Sequence, residues 1–77
     1  MNAQEQVLAE RVVAAVAADT VADVRLVLHP YLHWSEHGQT LRGRTTVLTM
    51  LESRPTLDPP VRVELRDGQI YRWYAGD

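Results

Sequence analysis

The sequence predicts an α+β domain, with three helices packed on one face of a small, curved antiparallel sheet in a cone-like arrangement. Three observations carry this. A stretch near the start repeats its apolar residues at helical spacing. The last segment alternates on both sides of Asp67-Gly68, and prolines at 30, 55, 59 and 60 cut the chain into short elements. Seventy-seven residues make one domain over the whole range 1–77.

The elements follow in order. Ala3 to Ala18 is rich in Ala, Glu, Gln and Arg, with Leu8, Val12, Ala15 and Val16 on one stripe, so it reads as the first helix. Thr20 as N-cap, with Asp23 three residues on, opens a second helix that turns Val21, Val24, Val27 and Leu28 inward. Pro30 ends it, because proline disfavours the helical conformation in the residue before, here His29. At a helix C-terminus that imidazole can bond a free carbonyl. Tyr31 to Glu36 reads as a strand, His37-Gly38 as a turn, and Gln39 to Arg42 as a second strand. Gly43 to Ser53 carries Val47, Leu48, Met50 and Leu51 at helical spacing and forms the third helix.

The final segment is a hairpin, since Asp-Gly suits a two-residue turn with positive φ at both positions. An uninterrupted register pairs Leu65 with Ile70, Glu64 with Tyr71, Val63 with Arg72 and Arg62 with Trp73. One face then holds Val61, Val63, Leu65, Ile70, Arg72 and Tyr74, and the other Arg62, Glu64, Arg66, Gln69, Tyr71 and Trp73.

A core this small leaves a thin margin. With no Cys there is neither a disulfide nor a thiolate metal site to widen it, and pairing with a second copy is the remaining source. The net charge is −2, and the eight basic residues, all Arg, are scattered along the sequence. That argues against a nucleic-acid partner. "VVAAVAAD" follows an acidic rather than a basic start, so it does not read as an export signal, and no apolar run is long enough to span a membrane. The expectation is a soluble cytoplasmic domain without a membrane partner.

The element order, with "LHPYLHW", "LRGRTTVLTML" and "VELRDGQIYRW" in sequence, resembles the nuclear transport factor 2-like superfamily, particularly its small bacterial SnoaL-like members. The resemblance covers Asp19 to Tyr74 and rests on the order and spacing of short motifs. It implies a cone-shaped domain whose curved sheet wraps a long helix around an apolar pocket, usually as a dimer. Members often continue with further long strands, whereas this chain stops three residues after Tyr74. The expected pocket is therefore shallow, open or completed by a partner. The family holds isomerases, cyclases and hydrolases beside members that only bind, so fold does not give function.

The candidate residues each have two readings. His29, His33 and His37 are four apart; on a strand that is about 13 Å per step, too far for one metal ion, so no metal site and no cofactor are expected. Leu32, Trp34 and Glu36 share the strand face toward the helices, so Trp34 is either a pocket wall or core packing. Arg72, on the apolar hairpin face with Tyr74, needs a partner: the carboxylate of a small ligand, or Glu36 in an internal ion pair. Tyr71 and Trp73, with Arg62 opposite, suggest a homodimer interface. Leu32, Trp34, Glu36, Arg72 and Tyr74 thus form the expected pocket for a small apolar or anionic ligand. Two functions follow: a non-catalytic ligand-binding or dimerisation module, or a SnoaL-like enzyme on a small apolar substrate using His33 or Glu36 as base.

Overall fold

A computed structural model of the chain describes residues 1–76. The elements are α1 (Ala3–Ala17), a 3₁₀ helix (Val21–Val27), β1 (Leu28–Glu36), β2 (Gln39–Arg42), α2 (Arg44–Glu52), β3 (Arg62–Arg66) and β4 (Gln69–Tyr74). The class is α+β, and the sheet order is β2-β1-β4-β3. The sheet is mixed rather than antiparallel: β1 and β4 run parallel at its centre, each flanked by its own antiparallel hairpin partner.

Helix α1 starts on a capping box. The Asn2 side chain accepts from the Glu5 backbone N–H and the Glu5 carboxylate accepts from that of Asn2, both at 2.8 Å. It buries Ala9, Val12, Ala15 and Val16, with Leu8 at the rim.

The second element departs from expectation. It is a 3₁₀ helix, and Thr20 provides no side-chain cap. The reason lies in the spacing of Val21, Val24 and Val27, all buried, which recur every three residues and eclipse on one face at three residues per turn. Crowded β-branched side chains also disfavour an α-helix here. Strand β1 consequently begins at Leu28, so His29 and Pro30 lie within the strand instead of ending a helix. His29 caps no carbonyl; its Nδ1 accepts from the Tyr31 backbone N–H at 3.0 Å.

Two tight turns close the two hairpins. His37-Gly38 and Asp67-Gly68 both have positive φ at both positions, and Glu36 pairs with Gln39 as Arg66 pairs with Gln69.

The β3–β4 register holds only at its start. Leu65 pairs with Ile70, but Glu64 pairs with Arg72, Val63 with Trp73 and Arg62 with Tyr74, because Tyr71 is an extra residue in a β-bulge. Alternation therefore changes phase within β4. Trp73, expected on the outer face, is 0% exposed, and Arg72, expected on the inner face, is exposed. The energetic cause is plain: an unbroken register would bury an unpaired guanidinium and leave an indole in water, and one bulge reverses both.

The core lies between the helices and the inner face of the sheet. Leu41, Trp34, Trp73 and Val63 form one row across all four strands. Because Trp34 and Trp73 are direct partners in the parallel pair, their rings stack, with centroids 4.4 Å apart and planes 7° from parallel. Leu28, Leu32, Val47, Leu51, Leu57 and Ile70 fill the remainder.

Candidate functional site

Two surfaces bear chemistry, one on each side of the sheet. The first is a cleft of about 470 Å³ between the β1–β2 hairpin and α2, bordered by Trp34, Glu36, Leu41, Thr49, Met50 and Arg54. Glu36 follows Leu32 and Trp34 on the inner side of β1, as expected from alternation, but its partner is not Arg72. The Arg54 guanidinium, just past α2, grips both carboxylate oxygens, with Nη1 to Oε2 at 2.8 Å. That hydrogen bond is the main reason the Glu36 carboxyl is held below the ordinary carboxylate range, against the opposing effect of burial; Arg54 is correspondingly raised. The Trp34 indole N–H lies near enough to help, although it forms no hydrogen bond with the carboxylate.

Deeper in, side chains of the sheet pack directly against the helices. Leu32 is 0% and Trp34 1% exposed, and the two indoles fill the centre. Of the five expected pocket residues, only Trp34 and Glu36 border the cleft. Leu32 belongs to the core, while Arg72 and Tyr74 stand on the opposite face of the sheet, displaced there by the bulge at Tyr71.

The second surface is that opposite face, which no described helix covers. Its register gives two lateral rows: Arg42, His33, Arg72 and Glu64, then Thr40, Ser35, Tyr74 and Arg62. Tyr31, 73% exposed, Tyr71 and Arg66 complete it. The Tyr71 ring meets His29 and His33 edge-on at 5.0 and 5.4 Å, with the Arg66 and Arg72 guanidiniums 5.2 and 5.6 Å from its centroid. Arg62 lies 4.3 Å over Tyr74 rather than over Trp73. Glu64 lies 3.3 Å from Arg62 and 3.7 Å from Arg72, and the Asp67 carboxylate lies 3.8 Å from His29 Nε2.

Of the three expected interface residues, Arg62 and Tyr71 are on this face, and Trp73 is in the core. Pairing with His33 joins Arg42 to the face, which no spacing rule within a single strand could show, while Tyr31 joins it by alternation with His33 and Ser35, its ring 5.8 Å from that of His29. The histidines are spread along β1 and its turn, and among the described residues no three potential ligands converge on a metal position. No described helix is long and apolar enough to cross a membrane.

No family model, curated protein or solved structure matches the chain.

Proposed function

We propose that the chain is a non-catalytic interaction module of nuclear transport factor 2-like type, and that it works through the open face of its sheet. The observation that carries this is the division of labour between the two faces: the inner one is filled by the Trp34–Trp73 stack, and the outer one displays tyrosines and arginines without a covering element. Tyr and Arg are the residue types that anchor interfaces. The order of the elements and the packing of α1, the 3₁₀ helix and α2 against the sheet support the family reading.

The enzymatic alternative draws less support. Its two candidate bases lie on opposite sides of the sheet. Glu36 is held ionised by Arg54, which makes it a weak proton acceptor, and His33 sits beside Tyr71 on an open surface that does not exclude water. Self-pairing through the open face keeps Tyr71 and Arg62 but lacks Trp73 as its central anchor.

The test is a screen of small carboxylates and hydrophobic ring compounds followed through backbone amide NMR shifts. The proposal expects no saturable binding in the cleft. A compound that saturates at Thr49, Met50 and Arg54, and is lost in Glu36→Gln, would place the working site in the cleft and overturn it.

A further inference from the structure

The geometry points to the open sheet face as a platform for single-stranded nucleic acid. This rests on the reading above that the face is where the chain works, and it adds the identity of the occupant.

Charge is the first argument. The strands bring Arg42, Arg62, Arg66 and Arg72 to this face against two carboxylates, Glu64 and, at the hairpin tip beside His29, Asp67. The chain as a whole carries −2, so the excess of acid lies elsewhere and the face is basic on an acidic molecule. Arg42 and Arg72 are neighbours of the same residue, His33, which puts their strands two interstrand steps apart, about 10 Å. Such a surface attracts a chain of phosphates. It does not favour a second copy of itself, because isologous pairing would set these arginines against their own counterparts.

The aromatic residues decide between polyanions. Tyr31 is the most exposed of the large hydrophobic side chains, with no guanidinium over its ring, and Tyr71 and Tyr74 continue the aromatic surface across β4. Ser35 and Thr40, whose hydroxyls are 3.2 Å apart in the same lateral row as Tyr74, add hydrogen-bonding groups. Arginines interleaved with tyrosines on an open sheet face fit phosphates and bases together, the bases stacking without sequence preference. An acidic peptide would use the arginines and leave Tyr31 idle. A duplex would keep its bases out of reach of the rings.

The experiment is fluorescence anisotropy of labelled single-stranded DNA and RNA, about 12 nucleotides long, with the intact protein. Neutralising about three phosphates predicts roughly twentyfold weaker binding between about 50 and 200 mM salt. Arg42→Ala with Arg72→Ala should weaken binding at least tenfold and flatten that salt dependence. Tyr31→Ala should weaken it about tenfold with the salt dependence preserved, and Tyr31→Phe, which keeps the ring, should retain wild-type affinity. All of these positions are exposed, and far-UV circular dichroism checks that each variant stays folded.

Equal affinity for polyglutamate or for a duplex, or indifference to Tyr31→Ala, would overturn the inference by leaving only charge attraction. If oligonucleotides do not bind but sedimentation shows a dimer that Tyr31→Ala and Arg72→Ala dissociate, nucleic acid is refuted and the open-face reading survives with a second copy as occupant. If neither oligonucleotide binding nor association occurs, both fall.

Discussion

Exchanging the burden between Arg72 and Trp73 tests the bulge at Tyr71 directly. Trp73 is 0% exposed and stacks on Trp34 at 4.4 Å, so Trp73→Ala removes a whole indole from the centre of the core and strips one side of its neighbour. Truncations of this kind cost about 3 to 5 kcal/mol. A chain of this length has a total stability of about 4 to 12 kcal/mol, so Trp73→Ala should forfeit from about a quarter to all of it. The informative variant is Trp73→Phe, which keeps a ring and should cost on the order of 1 to 2 kcal/mol. With a urea slope of about 1 kcal/mol/M, the midpoint should fall by roughly 1 to 2 M. Arg72→Ala, on the open face, should leave the midpoint close to wild type. Urea unfolding by far-UV circular dichroism reads all three, independently of how many tryptophans remain. An unbroken register demands the reverse order. If Arg72→Ala destabilises more than Trp73→Phe, or if Trp73→Ala unfolds at the wild-type midpoint, the bulge and the two faces derived from it are wrong.

Two further outcomes are expected. The Glu36 carboxyl is lowered in the folded chain, so its contribution to stability is present above the ordinary carboxylate range and lost as pH falls through the folded value; Glu36→Gln should therefore be less stable than wild type near neutrality and show a flatter loss of melting temperature on acidification. A steeper acid loss in Glu36→Gln would contradict the Arg54 pairing. Gly68 has φ +76° with nothing near where a Cβ would stand, so Gly68→Ala should cost about 1 kcal/mol from backbone conformation alone, measured by thermal unfolding, and no loss would exclude the two-residue turn.

Several elements were legible because local chemistry decides them. The α1 stripe, the third helical segment and the Asp67-Gly68 turn depend on residues a few positions apart, and sequence shows those. The other features depend on competition or on distance. Val21, Val24 and Val27 satisfy an α-helical pattern loosely and a three-residue period better, and only packing selects between them. The parallel pairing of β1 with β4 joins strands more than thirty residues apart, which no turn signal announces. The register at Tyr71 did leave a trace: an alternation that puts Arg72 among aliphatic residues and Trp73 in water is a conflict that one extra residue removes. For the candidate site, alternation puts Glu36 on the inner side of β1, while its arginine, Arg54, reaches it from beyond α2, a contact that no local spacing shows. The arginines looked dispersed because separation along the chain is no measure of separation on a sheet, where Arg42 and Arg72 flank one histidine.

The Tyr71 bulge also gives β4 a parity. Upstream of it, Ile70 faces the helices in one phase of the two-residue repeat; downstream, Trp73 does so in the other. A change in length between these two buried residues therefore acts like a frameshift written in side-chain direction. Removing or adding one residue there would let plain alternation set Ile70 and Trp73 inward and Arg72 outward with no bulge, whereas a change of two would leave the bulge still required. Divergent forms of this strand should then either keep three steps between these two buried residues together with a bulge, or keep two or four steps without one.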